Sequence, residues 1–156
     1  MIFVTLGTSK FQFSRLIRVV DKYCIESGEE VFIQSGYTNY KPKYCQYDAF
    51  LSDNVYLDKF INAELIIAHA GLGVYLQGLK HRKKMLLCPR LPELKEHANN
   101  HQVELAKELK KQGKALLIEH HSKNEIVSLV NKTKKLNSLT MNNSKEIYIK
   151  ILKSYI

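Results

Sequence analysis

The feature that most constrains this chain is a recurring unit in which a short apolar run stops at glycine, histidine or proline and a segment with helical apolar spacing follows. Residues 2–6 (IFVTL) are apolar and rich in β-branched side chains and end at Gly7. Residues 12–27 then carry Phe13, Leu16, Ile17, Val20 and Cys24 at helical spacing and end at Gly28. The pattern repeats with strands expected at 31–35, 65–69, 84–88 and 115–119, and a shorter one near 44–49. Helices are expected from about 53 to 62, 71 to 81, 99 to 112, 123 to 135 and 144 to 155. Strands apolar along their whole length, alternating with helices, imply a parallel sheet covered on both faces.

The expected fold class is therefore α/β, a Rossmann-like doubly wound parallel sheet, as one domain over residues 1–156. Ligands bind such sheets beyond the carboxyl ends of the strands. That singles out the loops at 7–12, 36–41, 69–74 and 89–102.

Composition narrows the class. A chain of 156 residues that is 45% apolar can build one core and needs no metal or disulfide to fold. Cys24, Cys45 and Cys88 are widely spaced with no CxxC pair, which predicts three reduced thiols. No apolar run is long enough for a membrane span. The opening MIFVTLGTSKF has no basic region or cleavage-like site and reads as a first strand, not a secretion signal. The formal charge of +9 favours anionic partners, with Lys and Arg gathered at 80–84, 107–114 and 132–135. Aromatics do not alternate with these clusters, so a nucleic-acid stacking platform is not indicated and a solvated basic face explains them.

Three segments carry site chemistry. His69-Ala70-Gly71-Leu72-Gly73 ends an apolar strand and begins a helix. Glycines there let backbone approach a phosphate, and the helix N-terminus offers N–H groups and a positive dipole end. The dinucleotide fingerprint does not fit, because its third glycine position is Leu76. Gly7-Thr8-Ser9 places small hydroxyl residues at the tip of the first strand. Pro89-Arg90 and Glu96-His97-Ala98-Asn99-Asn100-His101-Gln102 crowd amide and imidazole groups suited to sugar hydroxyls. The histidines here and at 120–121 lack a plausible metal-ligand set, so no metal is expected.

The segments FVTLGTSKFQFSRLI, IIAHAGLGVYLQGL and PRLPELKEHANNHQVELAKEL resemble, in order and spacing, the PssE/EpsF-type polysaccharide glycosyltransferase subunits. They are also similar to the C-terminal, donor-binding half of MurG-like GT-B enzymes of glycosyltransferase family twenty-eight. The likeness covers about residues 1–120. It implies that His69, Ala70, Gly71 and Gly73 hold a UDP diphosphate, with Gly7, Thr8 and Ser9 lining the same cleft. It places His101 and Gln102 on the donor sugar, Asn99 and Asn100 behind that turn, and Arg90 at the cleft mouth. His69 and His101 are the catalytic candidates, though no base is assigned. Where such proteins carry a ribose-binding glutamate, this chain has Gln77, which keeps one acceptor and loses the charge.

The resemblance implies an inverting UDP-sugar-dependent hexosyltransferase with no cofactor beyond the donor substrate. Its acceptor would be a polyprenyl-diphosphate-linked saccharide in exopolysaccharide or capsule assembly. The partner would be a membrane-anchored, PssD-like acceptor-binding subunit holding this chain at the cytoplasmic face of the membrane. The alternatives are a non-catalytic or regulatory nucleotide-sugar-binding subunit, and, with least support, a basic nucleic-acid-binding domain.

Overall fold

The structure, a computed structural model, describes residues 1–136 and Lys153. Six strands, β1 (Ile2–Thr5), β2 (Val31–Gln34), β3 (Gln46–Asp48), β4 (Leu65–His69), β5 (Lys84–Cys88) and β6 (Leu116–Leu117), form one sheet in the order β3-β2-β1-β4-β5-β6. Every pairing is parallel. The order reverses between β1 and β4, so the loops that leave these two neighbouring strands diverge. This is where doubly wound sheets open a ligand crevice. The Rossmann-like expectation from the apolar runs is met.

Alternation along the strands sorts the core into two layers. Ile2 and Val4 of β1, Ile33, Ile67, Leu86 and Cys88 face helices α1 (Ser14–Ser27) and α5 (Lys123–Lys135), meeting Leu16, Ile17, Val20, Ile126 and Val130. Phe3, Phe32, Ile66, Ala68 and Leu87 face the other way. They pack on α2 (Asp53–Asn62), α3 (Leu72–Lys80) and α4 (His101–Lys111) through Phe60, Tyr75, Leu105 and Leu109. A strand buried on both faces reads as an unbroken apolar run, which is why the inner strands were visible in the sequence. The edge strand β3 is exposed at all three residues, in keeping with its weak signal.

Three local differences have physical causes. α4 starts at His101, two residues later than its apolar spacing suggests, because the Asn99 side chain accepts from the His101 N–H at 3.2 Å and makes a bend. β6 is shorter than the run 115–119. After Ile118 donates to the Leu87 carbonyl, the Glu119 N–H turns away to the Glu125 carboxylate. The loop after β5 contains a 3₁₀ turn at Pro92–Leu94, closed by Lys95 at φ 56°. The helix expected at 144–155 lies outside the described residues, apart from Lys153.

The cysteines correct the expectation of three free thiols. Cys24 on α1 and Cys45 ahead of β3 form a disulfide, with Cα atoms 6.2 Å apart, and Cys88 is free and buried. Sequence spacing cannot show this pairing, because it depends on α1 lying across the segment that enters β3. The same junction is fastened by buried Asp21, whose carboxylate accepts from the Lys43 and Tyr44 N–H groups and from the Tyr40 hydroxyl.

Candidate functional site

The switch point brings together two of the three segments picked out in the sequence. Thr5 and Ala68 pair across β1 and β4, so Gly7 and His69 emerge side by side. Gly7 has φ 72°, a left-handed conformation that glycine adopts without strain. A Cβ at Gly7 would come 2.6 Å from Cε1 of His69, and one at Gly71 would come 2.8 Å from its Cδ2. The imidazole thus lies between two glycines that leave it room. Gly71, expected to let backbone approach a phosphate, and Gly7, expected to line the same cleft, each also accommodate this ring.

The His69 Nδ1–H donates to the Thr5 carbonyl at 3.4 Å, which leaves Nε2 as an acceptor in the neutral ring. Burial, and next the charge of Arg90, lower the His69 pKa to about 4, so the ring is neutral at pH 7. An anion arriving at Nε2 therefore has to draw a proton onto it or meet backbone N–H groups instead. The latter are at hand. α3 begins at the N-cap Gly71 with no side-chain cap, and Tyr75 is the first residue whose N–H reaches back to the Gly71 carbonyl. The N–H groups of Leu72, Gly73 and Val74 thus form the open, positive end of that helix. Gly73 is exposed, and Gln77 lies one turn further along, half-buried.

Thr8 is exposed at the same edge, and the Ser9 hydroxyl accepts from the Phe11 N–H. Asn99, Asn100 and His101 are exposed at the start of α4, which also lacks a side-chain cap. His101 lies 3.6 Å from the Glu104 carboxylate. Phe11 packs on the His97 ring with centroids 6.1 Å apart, which joins the loop after β1 to the loop after β5.

Arg90 departs from its expected place, and Gln102 is more enclosed than the sequence suggested. Arg90 is only 1% exposed, so it is not at the mouth of a cleft. Its guanidinium donates to the carbonyls of Leu6 (2.8 Å), Phe11 (2.9 Å), Glu96 (3.2 Å) and Gln12 (3.4 Å) and lies 4.5 Å from the Phe13 ring centre. Burial lowers its pKa to about 10, which still leaves it charged at neutral pH. Gln102 is 7% exposed and turned inward, where its amide oxygen accepts from the Arg90 N–H at 3.2 Å. Both residues hold the site loops from behind.

Two further residues complete this support: Glu96, which the sequence offered only as part of a polar segment, and Arg15, which it did not single out. Buried Glu96 accepts from Arg15 at 2.9 and 2.6 Å in a bidentate pair and from the Leu91 N–H at 3.0 Å. Arg15 also donates to the Pro89 carbonyl. Arg15 and Glu96 are 81 residues apart, so only the fold reveals the pair. The exposed aromatics Tyr37 and Phe50, in edge-to-face contact at 4.9 Å, stand on the loops after β2 and β3 at the same edge of the sheet. Among the described residues no group of three His, Cys, Asp or Glu side chains is placed to hold a metal ion. No described helix is long and apolar enough to cross a membrane.

Comparison with known proteins gives a consistent picture. The family model described as the glycosyltransferase family 28 C-terminal domain matches residues 1–152. The UDP-N-acetylglucosamine transferase subunit ALG13 of Mus musculus is 34% identical over 122 residues, which is 71% of this chain and 10% of that protein. This chain thus spans about a tenth of that relative's length. Among solved structures, the glycotransferase of kitacinnamycin superposes with a TM-score of 0.69 at 15% identity, over 91% of this chain and 37% of that one. MurG of Acinetobacter baumannii gives 0.59 at 17% identity, over 90% and 43%. At these identities the structures speak for the fold, which is that of the C-terminal half of a GT-B glycosyltransferase.

Proposed function

We propose, since this chain belongs to the glycosyltransferase family 28 C-terminal domain family, that it is the donor-binding half of a two-part, inverting UDP-sugar-dependent hexosyltransferase. The observation that carries this reading is the switch-point arrangement: Gly7, His69 and Gly71 converge beside the uncapped N-terminus of α3. A diphosphate seated there meets the N–H groups of the first turn of α3 and the backbone of Gly7, Thr8, Ser9 and Ala70. Gln77 then lies along the helix for the ribose, and Asn99, Asn100 and His101 ring the place of the sugar. Arg90 and Gln102 act as positioning residues through the loops they tie.

The chemistry asked of this half is leaving-group stabilisation. An acceptor hydroxyl attacks the anomeric carbon, the bond from that carbon to the UDP oxygen breaks, and the configuration inverts. Negative charge gathers on the departing diphosphate, where fixed N–H groups and the α3 dipole oppose it. The donor is a substrate, and neither a metal nor a further cofactor is part of this reading. His69 and His101 are the candidates on this chain for proton handling, and the catalytic base is assigned to the other half.

The proportions support a second half. The chain matches 37% and 43% of the two solved glycosyltransferases, one domain of a two-domain cleft. The mouse relative is itself called a subunit. We take the partner to be a membrane-anchored, PssD-like acceptor-binding protein, and this chain to be the PssE/EpsF-type member of the pair. The acceptor would be a polyprenyl-diphosphate-linked saccharide of exopolysaccharide or capsule, used at the cytoplasmic face of the membrane. A non-catalytic, nucleotide-sugar-sensing subunit is the second reading, and Gln77 in place of a glutamate favours it. Co-expression with a PssD-like partner, followed by transfer assays from a panel of UDP-sugars, separates the two. Transfer from one donor supports the enzyme, and UDP binding without transfer from any donor supports the sensor. A chain that binds no UDP in calorimetry overturns both.

A further inference from the structure

A cationic groove lies on the face of the sheet opposite α3. Arg15, Arg18, Val19 and Lys22 repeat at helical spacing along one face of α1, and with His121 they line a cavity of about 410 Å³. No carboxylate lines it among the described residues. Arg15 is neutralised by Glu96, but Arg18 and Lys22 form no ion pair with a described residue. Arg18 is instead laid over the Tyr40 ring at 4.3 Å, and the Tyr40 hydroxyl is anchored on Asp21 at 3.0 Å. Two like charges one turn apart on a helix repel each other unless an anion lies between them.

The opposite wall is held in a strained conformation. His121 has φ 54°, which a residue with a side chain seldom adopts. Glu125 enforces it: its carboxylate accepts from the N–H groups of Glu119 (2.7 Å), His120 (2.9 Å) and His121 (2.6 Å). Ser122 completes the device by accepting from the Glu125 N–H at 3.1 Å. The result turns His121 toward α1, where Nε2 accepts from Arg15 with the Cys88 thiol 3.6 Å away. Strain over-determined in this way is a mark of sites where position matters.

We propose that this groove is a second anion site, for a mono- or diphosphate group, with Arg18 and Lys22 as its charged contacts and His121 as its wall. A guanidinium held flat by an aromatic ring presents a fork that fits phosphate oxygens, and the lysine adds a mobile point charge. The group can be free inorganic or nucleotide phosphate, or the headgroup of an anionic lipid.

The two sources part in one experiment on the full chain at physiological salt, which removes long-range attraction. Pyrophosphate is titrated while the His121 ring signals are followed by NMR. Co-sedimentation is then run with phosphatidylcholine vesicles with and without phosphatidylglycerol. The groups facing His121 are Arg15 from α1, Cys88 from β5, Glu96 from the loop after β5, and His120 and Glu125 beside it. Burial and Arg15 already lower the His121 pKa, so a bound phosphate should raise it. The Arg18→Gln/Lys22→Gln double variant changes two exposed side chains, and it should weaken pyrophosphate binding at this site at least tenfold and abolish the His121 response. Pyrophosphate binding without retention on phosphatidylglycerol vesicles assigns the site to free phosphate; retention that the double variant loses assigns it to lipid. The proposal falls if pyrophosphate leaves the His121 signals unmoved and phosphatidylglycerol vesicles do not retain the chain, or if the double variant behaves as the parent does with both probes.

Discussion

The imidazole of His69 fills the space that a side chain at Gly71 would need, with Cδ2 only 2.8 Å from where the Cβ would stand. Gly71 has φ −81°, so alanine there meets no backbone strain and the clash with the ring is the whole effect. We expect Gly71→Ala to cost about 1–3 kcal/mol in denaturant unfolding, as overpacking of a tight site does. His69→Ala in the same chain should recover most of it. The double-mutant cycle checks this, and additive losses would mean that the ring moves aside freely.

A pH dependence follows from the same ring. Its folded pKa of about 4 lies below the unfolded value near 6.5. Between these values the unfolded chain binds more protons, so stability rises with pH across that window. The contribution is fully present above about 6.5, is lost as pH falls toward 4, and is on the order of 3 kcal/mol. His121 is lowered too and adds a slope of the same sign. Comparing the parent with His69→Gln isolates the part due to His69. Unfolding midpoints at a series of pH values should converge for the two proteins near pH 4 and separate above 6.5.

Much of this was legible in the sequence, and what was not has a common cause. β1, β4 and β5 are buried on both faces, so their identity is written as apolar runs. The HAGLG turn is local, so strand tip, glycines and helix start are read together. Arg90 misled, because a polar residue beside a candidate sugar loop looks like a ligand contact until its acceptors are known. Those acceptors, the carbonyls of Leu6 and Phe11, lie 84 and 79 residues away. The bond from the Arg90 N–H to the Gln102 amide oxygen was hidden for the same reason, since it forms only when the loop after β5 folds back on α4. The Arg15–Glu96 and Cys24–Cys45 pairings likewise exist only once distant segments meet.

Arg90 is expected to act on the site through the fold. Arg90→Met leaves the carbonyls of Leu6, Phe11 and Glu96 without their donor and removes a charge beside Glu96. A loss of about 2–4 kcal/mol is expected by chemical denaturation. Arg90→Lys should recover only part of it, because an ammonium cannot span carbonyls from both loops with one planar fork. Hydrogen exchange should show earlier opening of residues 6–13 in both variants, whereas a direct ligand contact would change UDP affinity and leave exchange as it was.

Gln77→Glu should strengthen UDP binding. Gln77 is half-buried on α3, beyond the open helix end, and its side-chain amide has no hydrogen bond to a described residue. A carboxylate there accepts charge-assisted bonds from ribose hydroxyls, a gain of about 0.5–1.5 kcal/mol. Titration calorimetry with UDP checks it, and weaker binding by the variant would mean that position 77 does not meet the ribose.

The isolated chain should show no robust sugar transfer, and activity should appear with its partner. A GT-B catalyst closes two Rossmann-like domains around donor and acceptor, and the described residues build one sheet of six strands. Its site is correspondingly open: Thr8, Gly73, Asn99, Asn100 and His101 are exposed at the carboxyl edge. Exposed aromatic residues, Phe11, Tyr37 and Phe50, stand on the loops of that edge. Water at such an edge weakens the pull of the α3 dipole on a departing diphosphate, and a second domain that excludes it strengthens that pull. UDP should therefore bind the single chain weakly but measurably, with the affinity rising when the partner is added. Thermal shift with UDP measures the first, and calorimetry on the co-purified complex the second. Brisk turnover of a soluble acceptor by the purified single chain would show that one sheet suffices and would overturn the two-part reading.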